Sequence, residues 1–183
     1  GSNLEVEGDL QANWQIHVDS GGVFRFRSGT VQIPGVSRIL AQDGSTIDLL
    51  DATVIGLGSS TPLNNNYGGK LKMVNSHLEF SNGGLIYAFA SDSIRIDNSS
   101  FHTTGLDPAV FQMFRITGNL NPVSFELTNS TFSTAKPSQD YVSVLTTPQV
   151  RIQNNHFDPT VGYALRLGSL DSLILDDNLF IGI

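Results

Sequence analysis

The chain has no cysteine, which removes both a disulfide framework and any thiolate metal site. It is also poor in charge. Only 15% of its 183 residues are Asp, Glu, Lys or Arg, against 39% hydrophobic residues. Disorder needs the opposite balance, low hydrophobicity with high charge, so the composition predicts a packed core. Acidic residues outnumber basic ones by 17 to 10, a net charge of −7 that gives no general attraction to nucleic acid or anionic membrane. No apolar run approaches the roughly 18 residues a spanning helix needs, so no membrane insertion is expected within the chain. No segment sustains a 3.6-residue apolar period with caps, so helices should be few.

What the sequence has in place of these is a repeat. Its pattern is apolar, any, apolar, any, Asn or Asp, two residues, then a large apolar residue. It occurs as Ile47-Asp48-Leu49-Leu50-Asp51 with Val54, Leu71-Lys72-Met73-Val74-Asn75 with Leu78, and Ile94-Arg95-Ile96-Asp97-Asn98 with Phe101. It continues as Phe125-Glu126-Leu127-Thr128-Asn129 with Phe132, Val150-Arg151-Ile152-Gln153-Asn154 with Phe157, and Leu173-Ile174-Leu175-Asp176-Asp177 with Phe180. A looser copy is Phe24-Arg25-Phe26-Arg27-Ser28 with Val31, and a faint one begins at Leu4-Glu5-Val6, where Gly8 replaces the Asn. The second apolar residue falls at 26, 49, 73, 96, 127, 152 and 175, in steps of 23, 24, 23, 31, 25 and 23.

Alternation at period two makes the first half of each copy a strand, with Ile94 and Ile96 inward and Arg95 outward. Between copies lie further strand-like runs: Leu85 to Phe89, Phe111 to Ile116, Tyr141 to Leu145 and Tyr163 to Leu167. Each coil therefore holds three short strands, and such coils bury their apolar faces only by stacking in parallel. The expected fold is all-β: a right-handed parallel β-helix of about seven coils, with residues 3–20 as an incomplete cap. Asp51, Asn75, Asn98, Asn129, Asn154 and Asp177 would form a turn column, with Ser28 at its start. Asn tolerates left-handed backbone there and can bond to the Asn of the next coil. The residues after the column are small or turn-tolerant: Gly29, Ala52, Ser76, Ser99, Ser130, Asn155 and Asn178. Asn98-Ser99-Ser100 and Asn129-Ser130-Thr131 match the glycosylation sequon, but a glycan would not fit inside the ladder.

The repeat resembles that of the pectin lyase-like parallel β-helix proteins, which include pectate lyases, polygalacturonases, phage tailspikes and surface adhesins. The resemblance spans about Phe24 to Phe180 and implies the fold, while the same ladder carries many activities. Polygalacturonases would suggest Asp176-Asp177 as a carboxylate pair, but Asp177 belongs to the ladder. The family's Asn-Thr-Asp, Gly-His-Gly and Arg-Ile-Lys motifs are absent. Pectate lyases hold calcium in a carboxylate cluster beside a basic residue. Here Asp48, Asp97 and Glu126 are spread over several coils, so no cofactor is expected, calcium being the one alternative.

The four histidines are His17, His77, His102 and His156. His77 and His156 share a repeat position three steps apart, roughly 15 Å at strand spacing, too far for a shared metal. Both read as exposed surface residues. The outward column of the first strand reads Arg25, Asp48, Lys72, Arg95, Glu126, Arg151 and Ile174, and a second outward column holds Arg115 and Arg166. This is a broken basic stripe, suited to cross-coil ion pairing or to an acidic polymer. Loops are expected where spacing is in excess, at Leu57 to Gly69, 102–108, 118–122, 133–140 and 158–162, along one edge of the solenoid. Aromatic platforms for sugar rings are Trp14, Tyr67, Tyr141 and Tyr163, with Tyr67 beside Asn65 the favoured contact.

The chain opens Gly1-Ser2, which reads as a cleavage scar, and its last residues lie inside an apolar run. Residues 3–183 are therefore expected to be one β-helix domain from a longer protein, next to other domains of that parent. The expected function is non-catalytic: adhesion, glycan binding or a structural stalk, extracellular or on a cell surface, with polysaccharide or a host or cell-surface glycan as partner. The candidate ligand residues are Asn65, Tyr67, Lys72, Arg95, Arg115, Arg151 and Arg166. A polysaccharide lyase or glycoside hydrolase, or a fragment of one, is the alternative. A weaker one is a DNA-contacting solenoid of a pilus-like protein.

Overall fold

In the computed structural model the chain is an all-β parallel solenoid, described at residues 2–13, 15–35, 37, 39–42, 44–57, 63–66, 69–80, 86–89, 93–103, 112–117, 124–134, 140–145, 149–160 and 163–182. Among these residues there is no helix, so none long and apolar enough to cross a membrane. Strands are numbered in chain order and fall into three columns.

The column entering the turn ladder contains β1 (Asn3–Glu7), the first halves of β4 (Val23–Pro34) and β6 (Thr46–Leu57), then β8 (Lys70–Val74) and β11 (Ser93–Asp97). It continues through β14 (Ser124–Thr128), β17 (Gln149–Gln153) and β20 (Ser172–Asp176). The column leaving the ladder has β2 (Leu10–Gln11), the second halves of β4 and β6, β9 (His77–Phe80), β12 (Ser100–Thr103), β15 (Thr131–Thr134), β18 (His156–Thr160) and β21 (Leu179–Gly182). These two columns join in one 14-stranded sheet, because β4 and β6 run unbroken through the turn. The third column is a separate seven-stranded sheet. It contains β3 (Ile16–Val18), β5 (Ile39–Ala41), β7 (Leu63–Asn66), β10 (Ile86–Phe89), β13 (Gln112–Thr117), β16 (Asp140–Leu145) and β19 (Tyr163–Leu167).

Every described pairing is parallel, and each strand sits on its repeat equivalent. Leu71 aligns with Ile94 and Met73 with Ile96, then Ile94 with Phe125 and Ile96 with Leu127. These inward residues are at most 1% exposed and form a continuous core along the axis. On the far side of the turn, Phe101, Phe132, Phe157 and Phe180 stack face to face with centroids 4.7, 4.9 and 5.0 Å apart. Strand spacing of about 4.8 Å dictates that separation.

Two expectations need correction. Residues 3–18 are a further rung rather than an incomplete cap: Leu4 aligns with Phe24 and Val6 with Phe26, and β3 pairs with β5. Gly8 adopts the column's left-handed backbone with φ +88°, which glycine reaches without strain. The close approach of the rung above also fixes Gly29, where a Cβ would sit 2.5 Å from the Gly8 carbonyl oxygen. Second, strands enter the segments expected to be loops: β12 and β15 run to Thr103 and Thr134, β16 begins at Asp140, β18 runs to Thr160, and Leu63–Asn66 form strand β7. Leu63 pairs with Ile39 below and Ile86 above, and tertiary pairing overrides the turn preference of three consecutive asparagines.

Candidate functional site

The turn column is the most regular polar feature. Ser28, Asp51, Asn75, Asn98, Asn129, Asn154 and Asp177 all have φ between +46° and +54°. Asn75 Nδ2 donates to Asp51 Oδ1 over 3.1 Å, Asn98 to Asn75 over 2.8 Å, and Asn154 to Asn129 over 2.7 Å. One step differs: Asn129 Nδ2 reaches Asp97 Oδ1 at 2.7 Å instead of Asn98. Thr128 Oγ1 donates to the same oxygen at 2.7 Å. The Thr128 bond, chiefly, holds the Asp97 carboxyl below its usual range; Asn129, Arg95 and the Asn98 backbone act the same way, against desolvation.

Immediately inside runs a second polar column, at the positions whose residues are small or turn-tolerant in the sequence. The Ala52 amide donates to Ser76 Oγ, Ser76 to Ser99 Oγ, Ser99 to Ser130 Oγ, Ser130 to Asn155 Oδ1 and Asn155 to Asn178 Oδ1. Each hydroxyl also donates backward to a carbonyl, Ser76 to Val74, Ser99 to Asp97 and Ser130 to Thr128. Ser76, Ser99, Ser130 and Asn155 are buried. The signal in the sequence was the recurrence of hydroxyl and amide types, where apolar small residues would have served size alone.

On the outer face of the first column the charges form one ladder. Arg25 lies 3.6 Å from Glu5 and 3.2 Å from Asp48, and Lys72 Nζ lies 3.9 Å from the other Asp48 oxygen. Arg95 is 3.5 Å from Glu126, whose second oxygen is 3.7 Å from Arg151. The acidic residues that break the basic stripe are thus the partners of its cations. Asp48 is the most enclosed of these groups, 12% exposed at its side chain, while the cations are one-third to more than half exposed. Pairs this exposed contribute about 0–1 kcal/mol each and are screened by salt. The ladder has one like-charge step, Lys72 directly beside Arg95. Beyond Glu126 a shallow groove of about 290 Å³ is lined by Ser124, Glu126, Gln149, Arg151, Ser172 and Ile174.

The remaining candidates do not converge on this face. Arg115 and Arg166 lie in the other sheet, each aligned with Ser143, and Arg166 is exposed. Asn65 is in β7 of that sheet, aligned with Ala41 and Ala88. Tyr67 and Trp14 lie outside the described residues, as does most of the chain expected to form loops. His77 and His156 are only partly exposed, which corrects their reading as surface residues. His77 Nδ1 is 2.7 Å from Ser100 Oγ, and His102 Nδ1 is 2.8 Å from Ser133 Oγ. His156 Nε2 is buried without a hydrogen-bond partner. Burial pushes the His77 imidazole below its ordinary value; Glu79 opposes this and His102 adds to it.

Among the described residues no three His, Asp or Glu side chains are grouped closely enough to hold a metal ion. Compared with known proteins, the chain matches no family model, no curated protein and no solved structure.

Proposed function

We propose that this chain is a non-catalytic β-helical segment of a secreted or cell-surface protein, and that it serves adhesion by holding an acidic polysaccharide along its lateral face. The observation that carries this reading is the like-charge step in an otherwise alternating ladder, Lys72 beside Arg95. Like charges directly opposite on neighbouring strands are destabilising. A carboxylate or sulfate lying across both cations turns that cost into attraction. The groove two rungs on supplies hydroxyl and amide groups from Ser124, Gln149 and Ser172, with the half-exposed Ile174 as an apolar floor for a sugar ring. Both carboxylates near the step already engage cations, Asp48 with Arg25 and Lys72, and Glu126 with Arg95 and Arg151. Carboxylates engaged in this way favour ion pairing over acid–base work on a glycosidic bond.

The test is binding to an array of neutral and acidic glycans, with and without calcium, followed by product analysis on every hit. The expected result is salt-sensitive retention of acidic polysaccharides without cleavage, weakened at least about tenfold in the double variant Lys72→Ser/Arg95→Ser. Cleavage products would move the assignment to a lyase or hydrolase. The closed ion-pair ladder also suits a passive shaft, and absence of binding under both conditions would leave that second reading in place.

A further inference from the structure

The outer face of the column entering the turn carries a lysine that the charge ladder does not use. Lys70 stands two residues before Lys72 in β8 and, like it, is exposed on the outward side. In register it lies beside Thr46 below and Ser93 above, which carry hydroxyls and no charge. Among the described residues Lys70 forms no ion pair.

Lys70, Lys72, Ser93 and Arg95 mark the corners of a rectangle on two neighbouring rungs. Its sides are about 7 Å along the strands and about 5 Å between them. The surrounding carboxylates hold its three cations loosely. Lys72 Nζ is 3.9 Å from Asp48 and Arg95 Nε is 3.5 Å from Glu126, both beyond good hydrogen-bond length. Asp48 makes its short contact with Arg25 instead, at 3.2 Å. Asp97, the one carboxylate in these two strands, is engaged at the turn, where its Oδ1 accepts from Thr128 and Asn129. Along the axis the rectangle is closed off by Asp48 one rung below and Glu126 one rung above. Charge is thus positive within one small patch and negative directly beyond it. Such a patch suits one compact anion and disfavours a continuous row of charge.

We propose that this rectangle is a subsite for a tetrahedral oxyanion ester, a sulfate or phosphate monoester carried on the polysaccharide. The inference rests on the glycan reading above and names the chemistry of its charged group. A monoester of this kind has three terminal oxygens, and the rectangle has three cations. Arg95 offers a planar fork, while Lys70 and Lys72 each offer a mobile ammonium that turns toward the oxygen facing it. The Ser93 hydroxyl at the fourth corner is a further donor. A carboxylate has two oxygens in one plane and leaves one cation without a partner. A phosphodiester also has two free oxygens, and in nucleic acid its neighbours follow closely enough to meet Asp48 or Glu126.

The test compares dextrans substituted to the same degree with sulfate, phosphate or carboxymethyl groups, titrated into the protein at low salt by calorimetry. The better of the two ester dextrans, which identifies the ester, should bind at least about tenfold more tightly than carboxymethyl dextran. Lys70→Ser should reduce that preference to below about threefold and leave carboxymethyl dextran binding within about twofold of wild type. Lys70→Arg, which keeps the charge, should retain the preference. Equal binding of ester and carboxymethyl dextrans, or an undiminished preference in Lys70→Ser, would overturn the subsite and leave the glycan reading standing. Tighter binding of duplex DNA than of any dextran, or no binding of the substituted dextrans, would overturn both.

Discussion

Replacement of Asn75 separates the two reasons for an asparagine in the turn column. Its side chain donates to Asp51 and accepts from Asn98, while its backbone sits at φ +49°. Asn75→Gly removes both side-chain bonds and leaves the backbone unstrained. Two exposed bonds of this kind contribute about 1–2 kcal/mol together. Asn75→Ala removes the same bonds and forces a Cβ into the left-handed region, a further cost of about 1–2 kcal/mol. The expected order of stability is wild type, then Gly, then Ala, with Ala about 2–4 kcal/mol below wild type. Asn75→Asp keeps the acceptor for Asn98 but sets a carboxylate against Asp51, so its loss should shrink at low pH. Urea unfolding at constant m-value measures the series. If Ala were no worse than Gly, the backbone argument would be wrong. If Gly matched wild type, the ladder bonds would carry no stability.

Four further outcomes follow from the same geometry. Ser99→Ala strands the buried Ser76 amide, and should cost about 1–3 kcal/mol in the same urea assay, more than Ser100→Ala at the partly exposed neighbouring position. Phe132→Ala empties a fully buried position stacked on both sides, and should cost about 3–5 kcal/mol. Phe180→Ala, stacked on one face only, should cost less than half of that, and equal losses would contradict a core that is continuous rung by rung. With the folded pKa of His77 lowered, the fold prefers the neutral ring and the unfolded chain protonates first. Stability from this group is therefore full above about pH 6.5 and falls as pH drops through that value toward the folded pKa. The thermal midpoint should decline between about pH 7.5 and 5 in wild type and decline less in His77→Gln; identical slopes would refute the assignment. Asp97 adds a separate loss at lower pH, since its stabilising charge disappears as pH falls from about 3.9 through its lowered folded pKa.

The rung positions were legible because one residue type, Asn or Asp, marks a backbone conformation that few others adopt, and because period-two apolar residues flank it. Where glycine takes the same conformation the mark fades, which is why Leu4–Val6 read as a faint copy although its register on Phe24 and Phe26 is regular. Strand β7 was hidden for the opposite reason. Asn64, Asn65 and Asn66 carry turn propensity, and the pairing that holds them comes from residues more than 20 positions away. The charge ladder was half legible. The sequence reading placed Arg25, Asp48, Lys72, Arg95, Glu126 and Arg151 in one column, but which carboxylate oxygen meets which cation is a matter of rotamers. The separation of Arg115 and Arg166 from that column depends on which sheet a strand joins, and an outward position alone does not say which.

The pairing of every strand with its equivalent one coil away has a mechanical consequence. Backbone hydrogen bonds between rungs run along the solenoid axis, so a pull on the two ends loads them one rung at a time instead of shearing a whole sheet. The ladder bonds link residues 23 to 25 apart in most coils and 31 or 32 apart across the long one. At about 3.4 Å per extended residue, each peeled coil lengthens the chain by about 80 Å, and the long one by about 105 Å. Under axial tension the molecule extends as a series of small, evenly sized releases at low force, and one longer release marks the coil between Asn98 and Asn129.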